Sequence, residues 1–163
     1  GLILCNTRAT ADAPDAKQNR VQLGAKVRTE GTRAVVTAML PKMTTENSRA
    51  QNPDLTGQIQ QMMMSNNPES VARALEGMAE RPNSEDVFGK IQCPVLVIHS
   101  EEDAVIPAGE AQMSARGIRG ARLQMIREAG HLSNLEQPAQ FNRHIEEFLQ
   151  QVPPHTAPID FSL

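Results

Sequence analysis

The stretch that decides the fold is Pro94-Val95-Leu96-Val97-Ile98-His99-Ser100-Glu101-Glu102-Asp103-Ala104-Val105-Ile106-Pro107. Val95 to Ile98 is an unbroken run of branched and leucine side chains with no polar alternation. That pattern fits a short strand covered by helices on both faces, since a half-solvated strand alternates. The run ends abruptly in a polar loop that carries Asp103. Leu2 to Cys5 repeats the unbroken pattern near the start of the chain, and Leu123 to Ile126, bounded by Gly120 and Gly130, repeats it more weakly. Helical segments follow each strand, and strand–helix alternation predicts an α/β fold with a parallel sheet.

Proline and glycine punctuate the helices. Asn67-Pro68 reads as a cap with proline at the first helical position, Val71, Leu75 and Met78 follow at helical spacing, and Pro82 ends the segment near Arg81. Pro107 opens a segment that Gly117 stops. From Pro138 the stripe Phe141, Ile145, Phe148, Leu149 and Val152 predicts an amphipathic terminal helix. The tail after Pro153-Pro154 has no periodicity and is expected to be flexible. The first two strands lie much further apart than the ~10–12 residues a crossover needs. Helical pieces over Ala16–Val27, Arg33–Leu40 and Leu55–Met64 fill that interval. They predict a helical cap over residues 13–86, set into a core of residues 1–12 and 87–152. Flexible side chains suit an adaptable apolar pocket, so Met62, Met63 and Met64 are candidates to line a substrate site.

Composition narrows the field. A net charge of -3, with scattered basic residues, gives no reason to expect a nucleic acid or an anionic membrane as a partner. No apolar run approaches the ~18 residues of a membrane span. Cys5 and Cys93 lie in apolar segments and read as buried free thiols of a reducing compartment, which makes the cytoplasm the default. Neither a histidine–cysteine spacing for a metal nor a glycine-rich nucleotide loop occurs, so no cofactor is expected.

Downstream of Asp103, His131 stands in Glu128-Ala129-Gly130-His131-Leu132-Ser133-Asn134-Leu135-Glu136-Gln137-Pro138. A buried strand ending in an Asp loop with a nearby proline, then AGHLSNLEQP before a terminal helix, resembles the α/β-hydrolase superfamily. The pattern is most similar to its enol-lactonase and esterase members. Thr7-Arg8-Ala9 after the first strand and Ala79-Glu80-Arg81-Pro82 extend the resemblance over almost the whole chain to about Val152. It implies that Asp103 is the acid and His131 the base of a Ser-Asp-His triad acting on a small hydrophobic ester or lactone. Glu101 and Glu102 compete for the acid position, and Asp103 is preferred for its place relative to Pro107. Gly130 is expected to let the backbone bend before the imidazole, and Ser133 with Glu136 to form a capping box. His99, His144 and His155 fall outside the pattern and read as structural or solvated. Ser100 departs from it, because relatives usually place glycine there.

The nucleophile elbow G-x-S-x-G does not occur: none of Ser48, Ser65, Ser70, Ser84, Ser100, Ser114, Ser133 and Ser162 has the flanking glycines. In the resembling family the serine and the oxyanion-hole amides precede a strand like Leu2–Cys5. The chain therefore reads as the C-terminal portion of the fold. It is expected to fold poorly and to be inactive by itself, with the N-terminal half of the same fold as the partner it needs. The alternatives are a degenerate hydrolase remnant or non-catalytic binding module, and C–C bond hydrolase or haloperoxidase-like chemistry on the same scaffold.

Overall fold

The computed structural model describes residues 1–152; the expectation of a flexible tail over 153–163 lies outside them. In chain order the elements begin with β1 (Leu2–Cys5), followed by an insertion of five helices. These are α1 (Pro14–Glu30), α2 (Arg33–Met43), α3 (Glu46–Gln51), α4 (Pro53–Met64) and α5 (Pro68–Ala79). A 3-10 helix, Glu85–Lys90, returns the chain to β2 (Val95–Ser100). Then come α6 (Ala108–Gly117), β3 (Arg122–Ile126), the short α7 (Ser133–Glu136) and α8 (Pro138–Leu149).

The sheet is parallel, in the order β1-β2-β3, with Ile3 opposite Leu96 and Val97 opposite Leu123. All six residues of the central strand β2 are buried, as an unbroken apolar run requires. Because successive side chains point to opposite faces, β2 serves two cores. Leu96 and Ile98 pack with Ile126 and Phe148 against the α8 stripe of Phe141 and Ile145. Val95 and Val97 pack on the other face with Ala111 and Ile118, alongside Phe88 and Leu123. The insertion has a third core of its own, in which Val27, Ala34 and Leu75 join α1, α2 and α5.

Local chemistry sets the helix starts. The side chains of Asn52, Asn67 and Thr45 accept hydrogen bonds from the Leu55, Ser70 and Ser48 amides at 3.1, 3.1 and 3.0 Å. Each such cap contributes about 1 kcal/mol. The expected helix over Arg33–Leu40 continues to Met43 despite Pro41. Arg49 Nη1 donates to the Pro41 carbonyl at 2.7 Å and to that of Thr44, satisfying carbonyls that the end of α2 leaves open. Neither α3 nor the 3-10 helix was expected, being too short to display a period.

The insertion joins the sheet through a buried ionic neck. Asp12, 4% exposed, pairs with Arg8, Arg20 and Arg81, the last at 3.6 Å. Arg8 leaves β1, Arg20 lies on α1 and Arg81 follows α5, so one carboxylate fastens the outgoing and returning chains together. Ser84 N–H donates to the Ala9 carbonyl across the same neck at 2.9 Å. The two cysteines correct the sequence reading: both are free thiols, yet both are exposed. Cys5 is the last residue of β1, which pairs with β2 among the described residues, and Cys93 lies in the loop before β2, so their apolar neighbours did not imply burial. Among the described residues no helix is long and apolar enough to cross a membrane.

Candidate active site

Parallel strands present their carboxyl ends along one edge, where ligands of open α/β sheets bind. The loops after β1, β2 and β3 leave that edge with Asn6, Asp103 and His131 respectively. The Asp103 side chain is fully buried and the His131 side chain is 23% exposed; Oδ2 of the first lies 2.9 Å from Nδ1 of the second. An ionised carboxylate can only accept. A neutral imidazole in this position therefore carries its proton on Nδ1 and keeps the Nε2 lone pair for a proton arriving from elsewhere.

Asp103 is held on both oxygens. Oδ1 accepts the Val105 and Ile106 amides at 2.7 and 2.9 Å, an Asx turn closing the loop on itself. Oδ2 accepts Asn6 Nδ2 at 2.9 Å as well as facing His131. Burial by itself raises the pKa of this carboxyl. The hydrogen bonds from His131, Asn6 and the Ile106 and Val105 amides outweigh it and hold the group at about 2. Asp103 is thus an anion in place of a buried acid. Glu101 and Glu102, the competing acids, are both exposed, and the Glu101 carboxylate faces Arg127 at 4.0 Å. Their amides donate to the Ile126 and Ala129 carbonyls.

Asn6 is the residue that sequence reasoning missed. It is 8% exposed, and its φ of 44° lies in the left-handed region that asparagine tolerates best among non-glycine residues. Its Nδ2 also donates to Ser100 Oγ at 2.9 Å, and its Oδ1 accepts Ser133 Oγ–H at 3.0 Å. One side chain therefore joins the ends of β1 and β2 to the His131 loop. Ser100, the departure from the family pattern, is fully buried and belongs to this network.

Gly130 does not take a positive φ; Glu128, two residues earlier, does, at 54°. Glycine is needed at 130 because a Cβ there would come within 2.9 Å of the Thr44 carbonyl carbon. One local expectation is corrected: the capping box does not form, since no side chain caps α7. Ser133 turns to Asn6, and Glu136 accepts the Gly130 amide on Oε2 and the Thr45 amide on Oε1, both at 2.7 Å.

His99 is fully buried on β2 with no hydrogen-bond partner at either ring nitrogen. Burial pushes its pKa down, and the Asp103 carboxylate pulls it partly back. His144 lies on α8 with Nδ1 3.8 Å from Glu147, and His155 is outside the described residues. Met62, Met63 and Met64 end α4. Met62 is 52% exposed, while Met64 lines a groove of about 280 Å³ with Val36, Leu40, Pro41 and Gln60, between α2 and α4. Among the described residues no cluster of three or more His, Cys, Asp or Glu could hold a metal ion.

A parallel sheet flanked by helices, with an acid and a histidine paired at its carboxyl edge, is the arrangement of an α/β-hydrolase. The chain belongs to the α/β-hydrolase family whose model, described as TAP-like protein, matches residues 56–156. It is 28% identical over 153 residues to 3-oxoadipate enol-lactonase 2 of Acinetobacter baylyi, covering 92% of this chain and 54% of that protein. A thermophilic esterase from Thermogutta terrifontis superposes with a TM-score of 0.88 at 41% identity, over 92% of this chain and 55% of the esterase. The enol-lactonase of Burkholderia xenovorans superposes at 0.83 with 28% identity, over 91% and 55%. The chain thus spans about half the length of the relatives it matches.

Proposed function

We propose that Asp103 and His131 are the acid and base of a Ser-Asp-His triad that hydrolyses carboxylic esters or lactones. The observation that carries this reading is the 2.9 Å pair between Asp103 Oδ2 and His131 Nδ1, at the carboxyl ends of adjacent strands. Names of relatives, an enol-lactonase and an esterase, support the reaction class. The serine and the oxyanion donors come from the part of the fold that these 163 residues do not span.

The chemistry follows from the protonation states. His131 Nε2 removes the serine hydroxyl proton as its oxygen attacks the substrate carbonyl, and Asp103 stabilises the imidazolium that forms. Nε2 then returns the proton to the leaving alkoxide, giving an acyl-serine. Water, deprotonated by the same nitrogen, releases the acid and restores the serine.

The insertion over residues 13–86 acts as a cap on a core of residues 1–12 and 87–152. Support comes from its contact with the base loop: the Leu132 amide donates to the Met43 carbonyl at 2.9 Å. Met64, Val36, Leu40 and Pro41 give the groove between α2 and α4 an apolar wall for a small acyl group, with Arg33, Thr37 and Gln60 on its polar side. The test is hydrolysis of p-nitrophenyl acetate and butyrate by the intact protein. His131→Ala is expected to lower kcat by about 10⁴-fold or more with the fold retained. Wild-type activity in that variant would remove the base assignment.

A further inference from the structure

Resting on the reading of His131 as the base, we propose that Glu136 is a positioning residue that makes the base loop and the helical insertion one mechanical unit. Gly130 and Thr45 are both buried, so their amides need partners within the protein. Glu136 supplies both, one oxygen each, at 2.7 Å. Both distances lie at the short end of the N–H···O range. None of the ion pairs among the described residues includes Glu136, and its two oxygens go to these two amides.

The surroundings give this clamp leverage on His131. Gly130 immediately precedes the base, and Leu132, immediately after it, donates to the Met43 carbonyl. Both neighbours of the imidazole therefore touch the Met43–Thr45 corner between α2 and α3. That corner is rigid from its own side: Thr45 Oγ1 caps α3, and Arg49 holds the carbonyls of Pro41 and Thr44. The two backbones approach so closely that residue 130 has no room for a Cβ. A shift of the insertion is thereby transmitted to the imidazole, which needs its 2.9 Å contact with Asp103 to stay in register.

Glutamine at 136 keeps one acceptor oxygen but turns its side-chain amide NH2, a donor, toward the other backbone N–H, releasing one tether. In the intact enzyme Glu136→Gln is expected to lower kcat for p-nitrophenyl butyrate by about 10–100-fold, the cost of a base misplaced by up to an ångström. KM should stay within about twofold. The downfield proton resonance of His131 Nδ1–H should broaden or move. A purely structural role would lower stability and leave both kcat and the resonance at wild-type values, which overturns the proposal. Glu136→Asp, too short to span both amides, provides the same readout if Glu136→Gln does not fold. Native-state hydrogen exchange of the unaltered protein provides a third: Gly130 and Thr45 should open together, and independent opening contradicts the clamp. If His131→Ala is active, the functional reading has failed. If it is inactive while Glu136→Gln and Glu136→Asp match wild type, only the positioning role has failed.

Discussion

Replacing Asp12 by asparagine should cost more stability than any other single charge removal in the described residues, because one buried carboxylate serves three guanidinium groups. The Asp12 side chain has no exposed surface, whereas Arg8, Arg20 and Arg81 keep 18%, 25% and 30% of theirs. Crowding is already visible at Arg8, whose pKa is pushed down first by burial and then by Arg81, with Glu110 acting in the opposite sense. At an effective dielectric near 20, a unit pair about 4 Å apart attracts by about 4 kcal/mol before desolvation is subtracted. Removing one partner of a buried pair typically costs 3–5 kcal/mol. Glu110 and the partial solvation of the arginines put Asp12→Asn at the lower end, about 3 kcal/mol. The assay is urea denaturation of the intact protein followed by far-UV circular dichroism, since these residues include no Trp or Tyr. The loss should persist in about 0.5 M NaCl, because buried pairs are screened little. A change below about 0.5 kcal/mol, or one abolished by salt, would place the cluster with ordinary surface pairs and refute the argument.

Three further outcomes follow from the site. Gly130→Ala forces backbone apart at Thr44 and should destabilise by about 1–3 kcal/mol while slowing ester hydrolysis, as chemical denaturation and kcat will record. Asn6→Ala loses three hydrogen bonds, two of them buried, and strains a residue at φ 44°, for about 2–3 kcal/mol; Asn6→Gly loses the same bonds without the strain, so the difference between the two melts isolates the backbone part. Stability should fall in two acid steps. His99, with its folded pKa pushed below the ordinary 6.5, binds a proton first in the unfolded chain, so stability declines as pH drops below 6.5. Asp103, held near 2 against an ordinary 3.8, contributes fully above 3.8 and loses that contribution as pH falls toward 2. His99→Leu should flatten the upper step in pH-dependent melts, and an unaltered upper step would contradict the assignment.

The strands, the terminal helix and the AGHLSNLEQP loop could be read from the chain because each is a local pattern: an unbroken apolar run, a 3.6-residue stripe, a fixed run of loop residues. What escaped was long-range and polar. Asn6 sits 97 positions from Asp103 and 127 from Ser133, and without these partners it reads as a turn residue after a strand. Glu136 fitted a capping box by spacing, but two buried amides, one of them 91 positions away, compete for it more strongly. Asp12 gathers arginines from both ends of the insertion, a convergence no local window contains. The cysteines failed for a different reason: Cys5 closes β1 and Cys93 stands just before β2, and at element ends apolar neighbours along the chain do not fix burial.

The most direct measurement is intact-mass spectrometry of the whole protein, quenched within the first turnover of p-nitrophenyl butyrate. One butyryl group per protein is expected, formed quickly in the wild type and at least about 10³-fold more slowly in both His131→Ala and Asp103→Asn. Acylation at wild-type rate in a folded His131→Ala protein, or turnover in which no acyl adduct ever forms, would contradict the triad reading.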